Sequence, residues 1–319
     1  MGGVLNFCLY RLGRPAVVSA CLFLAVQATC AEESLLHDVI DIHVHCDPDS
    51  LPRSIDALDL ARLANARHMR GLVLKNHYES TASLAYVVRK VVPGIEIFGG
   101  IDLNRSVGGV NPAAVERMVL VKGGWGKVIW MPTFDAENQV RYSKENRPFV
   151  PVAKAGQLLP EVREVIALAA KNNLLLETGH SSPEECLMIV REARKQGVRN
   201  VVVTHAMLPP VGMSVAQMIE AAHQGAYLEF VYNGLIGRSK AFEVQDYVRA
   251  IHAVGAKSCI LASDLGQVGN PLHPDGLGAF FELMLRNGIS RDELAVMTKI
   301  NPARVLGLPA STLHSLPLK

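Results

Sequence analysis

The segment Asp41-Ile42-His43-Val44-His45 places two histidines two residues apart in a short apolar run. Side chains at i and i+2 of a β-strand project from the same face, about 6 to 7 Å apart, so two imidazoles with this spacing can bind one metal ion. Among 11 histidines, such a pair also arises by chance. The meaning of the segment therefore depends on its place in the fold.

Seven similar apolar runs follow, and helical patterns separate them. The eight runs are Asp41–His45, Gly71–His77, Glu96–Leu103, Lys127–Thr133, Leu174–His180, Asn200–His205, Ala226–Tyr232 and Cys259–Asp264. Their alternation with helices is typical of βαβ units. Eight such units predict an α/β protein with a single-domain (β/α)8 TIM barrel. An open doubly wound sheet is the alternative, but its usual glycine-rich phosphate turn does not follow the first run.

Helix starts are marked between the runs. Ser182-Pro183-Glu184-Glu185 combines an N-cap, a proline in the first turn and a capping-box glutamate. Asn111-Pro112 and Leu159-Pro160 are similar starts. The longest irregular stretch is 134–156, which we expect to form a loop over the substrate at the barrel mouth.

The N-terminus has the layout of a secretory signal peptide. Arg11 and Arg14 precede an apolar run that small residues extend to Ala31. This run is shorter than the roughly 20 apolar residues of a membrane span. We therefore predict a signal peptide at 1–31 and a barrel at 32–319. The mature protein would be exported, periplasmic or secreted, without a stable membrane span. Alternatively the segment is an uncleaved anchor, or the chain start is assigned too early and the protein is cytoplasmic.

Composition narrows the class of partner. The formal net charge is +2 and no basic block occurs, so nothing indicates nucleic acid binding. We expect a small-molecule substrate, and a homo-oligomer is compatible with the sequence. Once the signal segment is removed, Cys46, Cys186 and Cys259 remain. Three scattered cysteines predict small buried side chains rather than disulfides.

Histidines gather where the predicted strands end. His77, His180 and His205 close their runs as His45 closes the first, and the carboxyl ends of the strands form the active-site face of this barrel. The remaining histidines fall in predicted helices, in loops or at the termini. One of them, His273, follows the last run; it could line the pocket, but we expect it to be solvated.

Asp264 closes the last run, behind small and apolar residues. A carboxylate in such a position is costly to bury unless it meets a cation or strong donors. A helix N-cap is the simpler interpretation. Together with the histidines, however, the position predicts a metal ligand that also accepts a proton. The predicted metal ligands are His43, His45, His180, His205 and Asp264.

In these motifs the chain resembles the amidohydrolase superfamily, and more closely an uncharacterised amidohydrolase-like branch. The motifs are Asp41-Ile-His-Val-His45, Leu74-Lys-Asn-His77, Thr178-Gly-His180, Val203-Thr-His205, Ser263-Asp-Leu-Gly266 and Asn301-Pro-Ala-Arg-Val-Leu-Gly307. They span about residues 37 to 309. Each motif is loose, but their order on successive strands is specific.

The resemblance implies a metal-dependent hydrolase in which metal-activated water cleaves a C–N or C–O bond of an amide, lactone or ester. His43, His45 and Asp264 would hold a divalent metal, zinc first and manganese, iron or nickel as alternatives. His180 and His205 would bind a second ion or orient the substrate. The predicted catalytic residues are Asp264, Lys75 and His205, and the predicted substrate contacts are His77, Asn104 and Thr133.

One departure from the superfamily pattern concerns the second metal. Two-metal members usually have a carboxylated lysine or a glutamate at the end of strand four, but Trp130-Met131-Pro132-Thr133 has neither. Lys75 and Glu177 are the available substitutes. Lys75 is expected to act as a bridging ligand, a substrate-anion contact or a base; alternatively it pairs with Asp41 or Glu177. One and two metal ions are thus both open.

Three other functions fit the same residues. A metal-dependent phosphoesterase would use the same histidines and aspartate. A Schiff-base lyase would use Lys75 and no metal. An exported barrel that only binds a small ligand is the non-enzymatic alternative, because the fold does not dictate the function.

Overall fold

A computed structural model describes residues 1–2 and 34–309, and every element below lies in the unit Ser34–Lys319. Eight parallel strands follow one another around a sheet in chain order. They are β1 (Ile40–His45), β2 (Gly71–Lys75), β3 (Glu96–Asp102), β4 (Gly126–Trp130), β5 (Leu175–Glu177), β6 (Asn200–Val203), β7 (Tyr227–Val231) and β8 (Cys259–Ala262). Each predicted run overlaps one strand, with two strands beginning one residue earlier than predicted, which confirms the (β/α)8 barrel.

Helices surround these strands. They are α1 (Ala57–Ala66), α2 (Ala82–Val91), α3 (Pro112–Val119), α4 (Glu137–Tyr142), α5 (Pro160–Lys171), α6 (Pro183–Lys195), α7 (Val215–His223), α8 (Val244–Val254), α9 (His273–Arg286), α10 (Arg291–Ala295) and α11 (Asn301–Val305). The predicted capping box is confirmed, since Glu185 N donates to Ser182 Oγ and Ser182 N donates to the Glu185 carboxylate. The predicted starts of α3 and α5 are confirmed as well.

The barrel closes through the residues that follow β8. Asp264 N donates to His43 O at 3.0 Å, and His45 N donates to Leu265 O at 2.9 Å. The buried Asp41 carboxylate accepts a hydrogen bond from Ser263 N at 3.0 Å. The backbone of Asp264 is therefore fixed against the strand that carries both histidines of the first motif.

A bulge in β1 changes which side chains face the barrel interior. Three residue steps from Asp41 to Val44 span only two steps on β2. Ile40 and Ile42 pack in the apolar cluster inside the barrel, whereas Val44 packs in the cluster between the strands and the helices. The bulge thus lets β1 supply apolar side chains to the interior below and imidazoles to the mouth above.

The C-terminal helices cover the opposite end of the barrel. Ala303 and Val305 of α11 belong to the interior apolar cluster. Asn301 donates from Nδ2 to Cys259 O at 2.8 Å, just where β8 begins. The Asn301–Gly307 motif is therefore accounted for by packing and by backbone hydrogen bonds, far from the barrel mouth.

Several expectations outside the barrel can be compared with the structure. Segment 134–156 is less irregular than expected, because it contains α4 and the first strand of a small hairpin, 153–154 paired with 157–158. The three cysteines are buried and free, as predicted. The expected signal peptide lies outside the described residues except for positions 1–2. Within the described ranges, none of the helices has both the length and the apolar character that crossing a membrane requires.

Candidate metal centre and substrate cavity

Five imidazoles form a closed circuit at the carboxyl ends of the strands. The distances between ring centroids are 5.3 Å for His43–His45, 4.8 Å for His45–His77, 6.3 Å for His77–His180, 4.9 Å for His180–His205 and 6.1 Å for His205–His43. Only His43 and His45 lie within a strand; the other three follow their strands by two or three residues. All five histidines that the sequence singled out are therefore neighbours in space.

Asp264 completes a group that fits one metal ion. Its Oδ1 lies 3.2 Å from His43 Nε2 and 3.1 Å from His45 Nε2, and the ligand atoms of the three residues lie within 4.8 Å of one another. Two ligands bound at about 2.1 Å and about 100° apart around zinc are about 3.2 Å from each other. The observed spacing is therefore that of neighbouring ligands, and two imidazoles with a carboxylate form a donor set for a divalent metal.

Two carboxylates favour a positive charge at His43. Burial disfavours the charged ring, but Asp264 and Glu229 outweigh it and raise the pKa of His43 to about 9. The ring is thus held between two carboxylates. Its Nε2 atom is buried and has no hydrogen-bond partner of good geometry. A metal cation at this atom would supply the positive charge that the extra proton on the His43 ring otherwise supplies to the two carboxylates.

Glu229, on β7, was not singled out from the sequence. Both of its oxygens lie 3.2 Å from His43 Nδ1. Because a carboxylate only accepts, Nδ1 carries a proton toward Glu229, and Nε2 is the ring nitrogen that faces His45 and Asp264 and would bind a metal. Glu229 also accepts a hydrogen bond from His205 N at 2.8 Å. A second-layer carboxylate of this kind fixes the orientation of a metal-binding imidazole.

Asp264 remains ionised although it is buried. Burial alone would raise the pKa of its carboxyl group, but His43 and His45 hold that pKa well below its usual range. Its other oxygen accepts a hydrogen bond from Asn233 Nδ2 at 3.2 Å. The backbone of Asp264 is in the left-handed region, at φ +50°, and so is that of His205, at +26°. Such strained positions are retained where the surrounding contacts impose them.

Two glycines of the motifs are required by close backbone approach. A Cβ on Gly266 would lie 2.0 Å from His45 O, and a Cβ on Gly179 would lie 2.1 Å from Met131 O. Both residues also have positive φ, +124° and +60°. Glycine is needed at these positions because any side chain would displace β1 or the loop that presents His180.

His180 and His205 do not belong to the metal group, although His205 is next to His43 in the circuit. His180 Nδ1 lies 2.8 Å from Gln139 Oε1, on α4. His205 Nδ1 is buried without a partner. The described group with metal-binding geometry contains neither residue. As ligands of a second ion, both therefore stay predictions.

Lys75 lies in the cavity wall, but its acidic neighbour is not the one expected. Its Nζ is 3.5 Å from Asp102 Oδ2 and 5.4 Å from the centre of the Trp130 ring. The ion pairs expected with Asp41 or Glu177 are wrong, because Asp41 instead joins β1 to Ser263. Asp102, the last residue of β3, was not singled out from the sequence. The signal that could have found it is an acid following the apolar Ile101 at the end of a strand.

Glu177 is buried on β5 behind the cavity wall. Its Oε2 accepts a hydrogen bond from Thr204 Oγ1 at 3.0 Å, and Oε1 has no partner. Burial raises the pKa of Glu177 to about 8, and the nearby Glu229 carboxylate adds to the rise. It does not line the cavity, so the geometry gives no support for a bridging role.

Asn104 and Thr133 support His77 from behind. Asn104 donates from Nδ2 to Thr133 Oγ1 and to His77 O, both at 2.7 Å, and its Oδ1 accepts from Thr133 N and Asp135 N. Thr133 Oγ1 lies 2.9 Å from His77 Nδ1. Neither side chain lines the cavity. Any effect of Asn104 and Thr133 on substrate therefore passes through lining neighbours: His77 directly, and Lys75 through Asp102, which accepts from Thr133 Oγ1 at 2.9 Å.

The cavity has a volume of about 550 Å³, and its wall includes all five histidines, Asp264 and Lys75. This size suits a small molecule. Phe134 stacks on His77 with ring centres 3.9 Å apart and adds an apolar surface. The expectation that His273 is solvated is wrong: the residue is buried, with Nε2 2.8 Å from Leu265 O. It supports the turn after Asp264 from below.

The sequence between residues 38 and 229 matches the family of unknown function DUF6282. The chain belongs to this family. The DUF6282 match includes all five histidines of the circuit and ends at Glu229, so Asp264 lies beyond it. No curated protein matches the chain.

Solved structures show the same fold at low sequence identity. An amidohydrolase from Pseudomonas aeruginosa is 13% identical, with a TM-score of 0.59 over 85% of this chain and 97% of that one. An organophosphorus hydrolase from Deinococcus radiodurans is 15% identical, with a TM-score of 0.60 over 86% of this chain and 94% of that one. An N-acetyl-D-glucosamine-6-phosphate deacetylase from Mycobacterium smegmatis is 16% identical, with a TM-score of 0.54 over 86% of this chain and 78% of that one. The resemblance of this DUF6282 chain to the amidohydrolase superfamily is thus confirmed at the level of the fold.

Proposed function

We propose that the protein is a metal-dependent hydrolase that cleaves a C–N or C–O bond of a small amide, lactone or ester with water. The observation that supports this most directly is the approach of His43 Nε2 and His45 Nε2 to one oxygen of Asp264, at 3.2 and 3.1 Å. The structural relatives named above include hydrolases, and the cavity above these three residues accommodates a small substrate.

The metal is proposed to be zinc, held by His43, His45 and Asp264. When bound, such an ion lowers the pKa of water and polarises the scissile bond. The protein supplies the rest. Glu229 keeps the His43 ring oriented, and Asn233 holds one oxygen of Asp264 so that the carboxylate can accept a proton from the attacking water and pass it to the leaving group.

Two further residues contribute to the same reaction. Lys75, at 3.5 Å from Asp102, provides a fixed positive charge in the cavity wall for an oxygen that becomes negative during the reaction. His205 is proposed to orient the substrate, since its Nδ1 is buried, unpartnered and close to His43. His77 and His180 complete the wall against which the substrate packs.

Metal analysis tests the metal centre. We expect purified protein to contain one equivalent of zinc or a similar ion, and His43→Ala to lose it. His223→Ala is the matched control, because this exposed histidine ends α7. Equal metal content in wild type and His43→Ala would contradict the proposed ligand set. Borohydride trapping of a substrate on Lys75 would instead indicate the Schiff-base lyase.

A substrate screen tests the bond that is cleaved. Metal-loaded protein is offered esters, lactones, amides and phosphoesters, with protein treated with a chelator as the control. Turnover of phosphoesters alone would indicate the alternative, a metal-dependent phosphoesterase. Tight ligand binding without any turnover would indicate a non-catalytic binding barrel.

Export is proposed separately, from the N-terminal sequence. Residues 1–31 have the layout of a cleaved signal peptide, and the barrel follows from residue 32. Sequencing the N-terminus of the mature protein is expected to give Glu32 as the first residue. An intact Met1 on active protein in the cytoplasm would contradict this proposal.

A further inference from the structure

The charged side chains of the cavity wall are mostly basic. Four of them are Arg53, Lys75, Arg238 and Lys240, and Asp264 is the one acid among the lining residues that the structure describes. Asp264 belongs to the proposed metal group, so its charge is used there. The remaining wall favours a negatively charged ligand and disfavours a positively charged one.

Three of these four cations already have an acidic partner. Lys75 pairs with Asp102 at 3.5 Å, and Lys240 pairs with Glu243 at 2.7 Å. Arg53 pairs with Asp49, with Nη2 2.7 Å from Oδ2. Arg238 is different, because it is exposed at the mouth and has no acidic partner in the part of the chain that is described. Its guanidinium is therefore available to bind an anion.

The loop that carries Arg238 is closed on itself. Ala241 N donates to Gly234 O at 2.9 Å, which joins the two ends of the loop. At its tip, Gly237 packs so tightly on Asn270 that a Cβ would lie 2.6 Å from Asn270 Oδ1. The backbone next to Arg238 is thus held in place by a hydrogen bond and by packing.

Asn270 connects this loop to the proposed metal centre. Its Nδ2 donates to Asn233 Oδ1 at 3.2 Å, and Asn233 Nδ2 donates to Asp264 Oδ2 at 3.2 Å. Two hydrogen bonds therefore link the packing contact below Arg238 to an oxygen of Asp264. This connection sets the position of the cation at the mouth relative to the place where the reaction is proposed to occur.

We propose that the substrate carries an anionic group, a carboxylate or a phosphate, which binds Arg238 while the scissile bond lies at His43, His45 and Asp264. The body of the molecule would lie between these points, against the apolar wall that includes Phe134 and Leu208. An arginine fork suits both kinds of anion because it can donate two parallel hydrogen bonds. This inference rests on the proposed hydrolase.

Calorimetric titration of zinc-loaded protein tests this without turnover. Succinate, glutarate and adipate are compared with monocarboxylates of equal carbon number and with phosphonocarboxylates of similar length. The different chain lengths sample the separation between the metal centre and Arg238, which line the same cavity. We expect at least one doubly charged series to bind about 10- to 100-fold more tightly than the monocarboxylates. Tighter binding of the dicarboxylates would identify the anion as a carboxylate, and tighter binding of the phosphonocarboxylates would identify it as a phosphate.

Arg238→Gln is expected to abolish this advantage and to leave monocarboxylate affinity unchanged. Arg191→Gln is the control, since Arg191 is exposed on α6 and pairs with Glu220 at 3.3 Å, outside the cavity. Gly237→Ala should weaken binding of the doubly charged series in the same direction. The proposal is overturned if neither series gains over the monocarboxylates, or if Arg238→Gln keeps the full advantage.

The two proposals fail in different ways. Protein that takes up no stoichiometric metal but still loses dicarboxylate or phosphonate binding in Arg238→Gln would refute the hydrolase and keep the anion site. Protein that binds zinc and hydrolyses neutral substrates, with no effect of Arg238→Gln on any anion, would keep the hydrolase and refute the anion site.

Discussion

The two sides of the cavity are built differently. On the side formed by β1 and β8, one ligand atom from each of His43, His45 and Asp264 lies within 4.8 Å of the other two. On the side formed by β2 to β4, Asn104 and Thr133 satisfy nearly every hydrogen bond that they can make. The first side presents a set of ligand atoms to a cation, whereas Asn104 and Thr133 on the second side form a hydrogen-bonded support for His77.

This contrast separates chemistry from scaffolding among residues that look alike in the sequence. All of them are polar and stand at or just beyond the ends of buried strands. A ligand site is recognised by hydrogen-bonding capacity left unused inside the protein, because an unpaired buried polar group is costly unless a ligand completes it. The predictions below test this distinction.

Asp264→Asn should have the largest effect. Asparagine can still contact His45 Nε2, so we expect the fold to persist. It cannot accept the proton or neutralise a cation, so turnover should fall about 10²- to 10⁴-fold and metal content should drop. Metal analysis, circular dichroism and steady-state kinetics measure these effects. Full activity in this variant would contradict the role of Asp264 as metal ligand and proton acceptor.

Asn104→Ala should affect the other side of the cavity in another way. The change removes four hydrogen bonds at a buried position, including those to Thr133 N and His77 O. We expect the free energy of unfolding to fall by about 2 to 4 kcal/mol in urea denaturation, with stoichiometric metal retained. Asn172→Ala is the control, because half-buried Asn172 lies just after α5 and its side chain makes one hydrogen bond, to Leu168 O. Metal loss comparable with that of Asp264→Asn would show that the two sides do not act separately.

Glu229→Gln should weaken the metal centre without removing a ligand. The amide can present its NH₂ group to His43 Nδ1, which disturbs the tautomer that leaves Nε2 free. We expect metal affinity to fall about 10- to 100-fold, measured by competition with a chelator. Glu220→Gln, an exposed change on α7, should have no effect. Unchanged affinity in Glu229→Gln would mean that His43 is oriented by packing alone.

Glu177→Gln should have the smallest effect, and one visible only as a pH dependence. In the metal-free protein the folded-state pKa of about 8 lies above the ordinary value of 4.5. The folded state therefore binds more protons between these values, and wild-type stability decreases as pH rises through them, by up to about 1.4 kcal/mol per pH unit from this group.

The variant lacks this titration. Its free energy of unfolding relative to wild type is therefore expected to rise from pH 5 to pH 8, in denaturation curves measured with chelator present. A difference independent of pH would mean that Glu177 is already ionised in the folded protein.

Local sequence patterns were sufficient for the barrel and for much of the candidate site. Each run of Val, Ile and Leu forms a strand because strands covered on both faces need continuous apolar side chains. The histidines at the ends of these runs then meet because parallel strands of one barrel end at a common face. The proximity of His43 to Asp264 could be predicted in this way, although 221 positions separate them in the numbering.

Other features had no local signal. Glu229 is one acid in an apolar strand, and its partner His43 is 186 positions away. The choice of Asp102 rather than Asp41 or Glu177 as the partner of Lys75 follows from the register of β2 against β3. The link from Arg238 through Asn270 to Asp264 depends on how two loops pack.

The sequence by itself determined which residues end the strands and therefore which side chains gather at the mouth, because hydrophobic periodicity and chain order are local properties. Only the tertiary structure decided which of these side chains keep unused hydrogen-bonding capacity. That property depends on distances of about 3 Å between atoms on different strands and loops, which the bulge in β1, the closure at Asp264 and the packing of the loops set together.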